Sequence, residues 1–195
     1  MVKAAFMEAI IKVSQEEYFK LLAASDVKLE YHDGKIVAMA GAKPTHNQIS
    51  ANFIFQLKLC LRKSNCFVLA SDQLIAVPAC KKFVFPDVVI VCEKPLFEKN
   101  KQGLDALTNP EVIIEVLSDS TELNDRNEKF DCYKTIESFR EYVLVSTNRK
   151  KIEVYKKINQ TEWLVSTFYD KNDEVTINRC KLFLKDIYEQ TDQLP

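Results

Sequence analysis

The stretch "NPEVIIEVLSDST", Asn109 to Thr121, decides how the rest of the chain is read. Its centre, "EVIIEVLS", has the length and the β-branched content of one buried strand, yet Glu115 stands in the middle of it. An ionised carboxylate is costly inside hydrocarbon, so Glu115 must be paired, bound to a metal or placed where the strand end opens to solvent. Asp87 in "FPDVVIV" poses the same problem one strand-like run earlier.

After Glu115, "STELNDRNEKFDCYKTI" reads as a helix that Ser120 or Thr121 caps, with Leu123, Phe130 and Tyr133 as its inward stripe. Strand then helix is the local unit. Upstream, "SQEEYFKLLAAS" carries a capping-box pattern, Ser14 followed by Glu17, and "VKLEYHDGKIVAMAG" is a hairpin about Asp33-Gly34. "KPTHNQISANFIFQLKLCLRKS" is the longest expected helix, capped by Thr45, with Ile49, Phe53, Leu57 and Leu61 on one face. The runs "CFVLAS", "QLIAVPA" and "FVFPDVVIVC" are expected as neighbouring strands of one sheet. Downstream, "EYVLVST", "KIEVYKKI", "EWLVSTFY" and "EVTIN" read as strands and "CKLFLKDIYEQ" as a closing helix. The expected fold is a mixed central sheet flanked by helices, α/β or α+β, in one domain over residues 1–195.

A formal net charge of -1 gives no global positive field that would draw the chain to nucleic acid or an anionic membrane, so a polyanion would need a local basic patch. No run approaches the ~20 apolar residues of a membrane span, and the N-terminal stretch lacks a basic lead, so a cytoplasmic protein is expected. The six cysteines show no C-x-x-C spacing and sit among apolar residues, which reads as reduced thiols packed as small hydrophobes. With only His32 and His46 as histidines, no Cys/His zinc set forms. G-x-G-x-x-G, the Walker lysine loop, G-x-S-x-G and H-E-x-x-H are all absent, which removes the nucleotide-fold, esterase and zincin readings.

Two carboxylates at adjacent strand ends form the oxygen-rich pocket that a hard cation such as Mg²⁺ or Mn²⁺ needs. Such an ion polarises a phosphodiester and acidifies a bound water, and a nearby lysine offsets the negative charge that develops. Lys129, four residues after Asp125 and beside Phe130 and Tyr133, is the candidate.

In that order, "FPDVVIV", "VIIEVLSDST", "DRNEKFDCYK" and "FREYVLV" resemble the Uma-type family of restriction endonucleases, a branch of the PD-(D/E)XK nuclease superfamily. "LEYHDGKIVAMAGAKPTHNQISANF" is similar to that family's amino-terminal pattern. The resemblance implies a restriction-endonuclease-like fold and a metal site of Asp87, Glu115 and the backbone carbonyl of Val116. It also implies Lys129 as the catalytic lysine, displaced from its usual strand position, where Leu117 stands instead. Glu30 and His46 take supporting roles, DNA is the implied partner, and cutting both strands would call for a homodimer.

Plainer readings stand beside these. Asp87 is a polar strand end after Pro86, Glu115 faces solvent on an edge strand, and Asp125 with Lys129 is an exposed ion pair. His46 is a helix-start histidine bonded to backbone, and Glu30 pairs with Lys28 or Lys35 across the hairpin. "NRKKIEVYKK", Asn148 to Lys157, either binds backbone phosphates or is the wet face of a hairpin. Three functions follow: a metal-dependent DNA endonuclease, a nuclease-fold protein that binds nucleic acid or a protein without cutting, and a hydrolase of small phosphorylated substrates.

Overall fold

Val112 to Leu117 does form a strand, and it is the middle of the sheet that carries the site. The computed structural model describes residues 12–118 and 125–194. Its first helix is α1 (Gln15–Ala24), where Ser14 accepts from the Glu17 backbone N–H and so satisfies one of the orphan donors of the first turn. The hairpin follows as β1 (Leu29–His32) and β2 (Lys35–Ala38), with Asp33 and Gly34 both at positive φ as a tight turn of this kind requires. Next comes α2 (Pro44–Leu61), which buries the expected stripe of Ile49, Phe53, Leu57 and Leu61. Its cap is Lys43, not Thr45, because Pro44 takes the first helical position, where its missing N–H costs nothing.

The remaining strands are β3 (Phe67–Ala70), β4 (Ile75–Val77), β5 (Lys82–Val84), β6 (Val88–Val91), β7 (Phe97–Glu98), β8 (Ala106–Leu107), β9 (Val112–Leu117), β10 (Glu141–Ser146), β11 (Ile152–Lys157), β12 (Trp163–Phe168), β13 (Glu174–Ile177) and β14 (Cys180–Phe183). They make two mixed six-stranded sheets and one hairpin, not one central sheet: the first sheet runs β2-β1-β5-β4-β8-β7, the second β12-β11-β10-β9-β6-β3, and β13 pairs with β14. The three runs expected as neighbours are therefore divided, β3 and β6 in the second sheet and β4 and β5 in the first. The dividing point lies inside "FVFPDVVIVC", where Pro86 has no N–H to give a ladder and the chain crosses from one sheet to the other. The two-residue strands β7 and β8 carry too little pattern to be legible in sequence.

Side-chain alternation sorts the second sheet's residues. Val88, Ile90, Ile114, Val116, Val143 and Val145 face α2 and the β13–β14 hairpin, whereas Val89, Val91, Ile113, Leu117, Tyr142 and Leu144 face the first sheet's Ile75, Val77, Val84 and Leu107. The first sheet's other face, with Tyr31, Ala76 and Phe83, packs on Tyr18 and Phe19 of α1. Asp87 and Glu115 share the odd-numbered register that points into the gap between the two sheets.

Three further expectations are corrected. Of the long helix after Glu115, Ser120, Thr121 and Leu123 lie outside the described residues; Asp125–Lys129 is a π-helical turn running into α3 (Phe130–Tyr133). "CKLFLKDIYEQ" is β14 followed by a single turn, α4 (Leu184–Ile187), since Cys180 and Leu182 are buried while Lys181 and Phe183 point outward, a period of two. The cysteines are not free thiols: Cys60–Cys180, Cys66–Cys92 and Cys80–Cys132 are disulfides between residues 120, 26 and 52 apart, separations that no spacing motif marks. No helix among the described residues is long and apolar enough to cross a membrane.

Candidate active site

Register brings the two strand acids together. β6 and β9 are antiparallel with Val88 opposite Ile114, so one further step along both strands sets Asp87 opposite Glu115. Asp87 Oδ2 accepts the Val116 backbone N–H at 2.7 Å, in place of the ladder bond lost at Pro86. A strand residue's N–H and C=O leave the backbone on the same edge, so the Val116 carbonyl faces the Asp87 side as well. The other oxygen, Asp87 Oδ1, lies 3.1 Å from His46 Nε2, which the first turn of α2 carries over the end of the sheet.

Glu115 is buried on an inner strand, not exposed on an edge, and its Oε1 accepts both the Lys129 ammonium and the Tyr133 hydroxyl at 3.1 Å. The π-helical turn accounts for Lys129's reach. It keeps Asp125 and Lys129 both buried, with Nζ 3.0 Å from Asp125 Oδ1, so the pair expected as exposed lies inside the protein. That contact falls outside hydrogen-bond geometry, and among the described residues Asp125 Oδ1 is left without a hydrogen-bond donor. Glu30 approaches from β1: its Oε1 accepts the Phe85 N–H at 3.0 Å and lies 4.0 Å from Lys129 Nζ, and its Oε2 contacts His32 Nε2 at 3.1 Å. Glu30 thus pairs with neither Lys28, which bonds Asp72 and Ser71, nor Lys35. All five side chains expected from the sequence, Glu30, His46, Asp87, Glu115 and Lys129, converge on one locus, with Asp87 and His46 at its more open end.

The electrostatics follow from the count of charges. Burial pushes the Glu115 carboxyl well above the ordinary carboxylate range; Asp125, Asp87 and Glu30 add to that rise and Lys129 opposes it. Burial would lower Lys129, but Glu115, Glu30 and Asp125 outweigh it and hold the ammonium charged far above its usual range. Burial likewise raises the Tyr133 hydroxyl, which stays a proton donor to Glu115. Glu30 lies below its ordinary value: burial opposes this, while the His32 hydrogen bond, Lys129 and the Phe85 N–H bring it down. His46 is raised by its bond to Asp87 against the effect of burial.

Four carboxylates thus share one lysine and two histidines, His32 on Glu30 and His46 on Asp87, and carboxylates outnumber these cationic partners. Among the described residues no three His, Cys, Asp or Glu side chains stand as a ready metal set. Two facing carboxylates and a backbone carbonyl nevertheless fit Mg²⁺ or Mn²⁺, which bind through one or two carboxylates and keep several waters.

The sequence reading gave no role in the site to Asp125, Tyr133 or Lys82. Lys82, buried in β5, reaches Glu128 at 2.6 Å and ties the π-helical turn to the first sheet. Tyr133 was visible as a stripe residue, but nothing in the spacing marked its hydroxyl.

The sequence profile of the family Uma2, described as "Putative restriction endonuclease", matches residues 15–183. Two uncharacterized proteins of Synechocystis sp. (strain ATCC 27184 / PCC 6803 / Kazusa) are each 31% identical, one over 166 residues that span 85% of this chain and 93% of that protein, the other over 171 residues that span 88% and 87%. A crystal structure described as a putative nuclease belonging to DUF820, from Anabaena variabilis ATCC 29413, superposes with a TM-score of 0.71 over 90% of this chain and 97% of that one, at 16% identity, which establishes a shared fold.

Proposed function

The chain belongs to the Uma2 family, and from that premise we propose that it is a Mg²⁺- or Mn²⁺-dependent endonuclease hydrolysing DNA phosphodiesters. The observation that carries this reading is the convergence of Asp87 and Glu115 on one gap, with Lys129 Nζ 3.1 Å from Glu115 Oε1. Asp87, Glu115 and the Val116 carbonyl would hold the ion. When bound, it supplies Lewis-acid polarisation of the phosphate and acidification of a water. The protein's own groups do the rest. Lys129, kept protonated by the carboxylates, offsets charge developing on the phosphate oxygens. Tyr133 and Lys129 both hold Glu115 Oε1, which orients that carboxylate. His46 and the Val116 N–H fix the plane of Asp87, and Glu30 steadies Lys129 and the Phe85 backbone.

A plasmid-nicking assay tests this. Wild type is expected to nick with Mg²⁺ or Mn²⁺ and to stop with chelator, and Asp87→Ala and Glu115→Ala are expected to be inert. Metal-independent nicking, or full activity in either variant, contradicts the reading.

One observation favours the second reading, a nuclease-fold protein that binds without cutting: Lys129 already supplies Glu115 with a cation from within the chain. DNA binding that is indifferent to Mg²⁺ and to Asp87→Ala would select it. Double-strand cutting would need two copies, which sedimentation on DNA measures. The cytoplasmic expectation meets an opposing observation in the three disulfides, which fit an oxidising compartment better. Thiol titration of the protein from cells decides between them.

A further inference from the structure

The basic run at Asn148 to Lys157 divides sharply once placed in the fold. Two of the three lysines in its second half are spoken for: Lys151 is buried against Glu153 at 2.9 Å, and Lys156 reaches Glu141 at 3.1 Å, while Lys157 is half-buried. Its first half forms the turn between β10 and β11, and there Arg149 and Lys150 are exposed. Among the described residues Arg149 has no ion-pair partner, and Lys150 meets only Asp192, itself largely exposed, at 2.7 Å.

This turn stands at the rim of the acidic site. β9 and β10 are parallel, with Ser146 opposite Leu117, so β10 ends where β9 ends. Thr147 Oγ1 donates to the Leu117 carbonyl at 2.9 Å, two residues beyond Glu115, which is about 7 Å along a strand. The turn is also braced from beneath. The Tyr188 hydroxyl lies 2.9 Å from the Ser146 carbonyl and 2.8 Å from that of Lys151, and it accepts the Lys151 N–H at 3.0 Å. Two exposed cations are thus held on a fixed backbone beside a pocket whose four carboxylates would repel a polyanion.

We propose that Arg149 and Lys150 are a docking element for duplex DNA, gripping backbone phosphates that flank the one delivered to Asp87 and Glu115. The inference rests on the endonuclease reading and adds the part of it that the acidic pocket lacks, a source of attraction for the substrate. Contacts to phosphate carry no base information, so they serve every sequence alike.

The test is duplex binding by fluorescence anisotropy in chelator, over a range of salt concentrations, for wild type, Arg149→Ala, Lys150→Ala, the double variant and Lys63→Ala. Lys63 is an exposed control beyond the far end of α2, a helix whose 18 residues span about 27 Å. Each lost phosphate contact is expected to flatten the plot of log K against log salt by about 0.9, so the double variant should lose about 1.8 while Lys63→Ala loses nothing. Mn²⁺ titration of the double variant, expected to match wild type, shows that the pocket is intact. Slopes unchanged from wild type, or changed equally in Lys63→Ala, overturn the docking element and leave the nuclease reading standing. A wild type that binds neither duplex nor Mn²⁺ overturns both.

Discussion

Two glutamates on the second sheet are each largely removed from water, and burial pushes both carboxyls in the same direction, toward the protonated form. Glu153 on β11 nevertheless ends below its ordinary value, because Arg126 Nη2 lies 2.5 Å away and Lys151 Nζ 2.9 Å away, two cations for one acid. Glu115 on β9 ends far above it, because its deeper burial dominates and Lys129, which also serves Asp125 and Glu30, only partly opposes that rise. Depth of burial and the charge supply of the surroundings act together: Glu115 lies deeper and shares one lysine, and Glu153 lies nearer the surface beside two cations. Glu153 belongs to a completed ion network, and on the proposed reading Glu115 belongs to one that a metal ion completes.

The largest expected effect falls on catalysis. Glu115→Gln keeps the shape and the Tyr133 contact but removes the charge, and nicking should drop on the order of 10³-fold or more. Activity within a few-fold of wild type would place Glu115 beside Glu153 as a structural acid. Lys129→Met comes next: nicking should fall about 10²-fold while Mn²⁺ still binds, since a competing cation has left the carboxylates. Loss of Mn²⁺ binding in that variant would mean that the ammonium builds the site instead of acting in it. Tyr133→Phe is smaller, with Mn²⁺ affinity about 10-fold weaker on calorimetry through loss of the donor that orients Glu115.

The smallest effect sharpens the contrast from the other side. Glu153→Gln should leave Mn²⁺ binding untouched and cost about 1 kcal/mol, or roughly 2–4 °C in Tm, at neutral pH. A carboxyl whose folded pKa is depressed contributes stability above its unfolded value, 4.5 here, and loses it as pH falls through the folded one. The melting curves of variant and wild type should therefore converge in acid. A gap that persists below that range would show that the network works through packing rather than charge.

Much of this site was legible because acids in apolar strands are chemically expensive and stand out. Asp87 and Glu115 were visible for that reason, and the order of motifs carried Glu30, His46 and Lys129. What the sequence did not disclose depends on three-dimensional pairing. The division into two sheets turns on Pro86, a residue that reads equally well as a bend within one sheet. The disulfides join residues with no shared motif. Asp125 and Lys129 at a spacing of four suit a solvent-facing α-helical pair as well as a buried π-helical turn, and only the packing of Phe130 on Tyr142 and Trp163 fixes which face turns inward. The β14 strand alternates over only four residues, too few to outweigh the helical look of the segment that follows.

The most direct measurement is calorimetric titration of Mn²⁺ into wild type, Glu115→Gln and Glu153→Gln under one buffer. One ion bound by wild type and by Glu153→Gln, and none by Glu115→Gln, is the predicted result, because only the under-compensated cluster has a place for added charge. Equal binding by all three, or no binding by wild type, would contradict the claim that the shortage of cations around Glu115 marks a metal site.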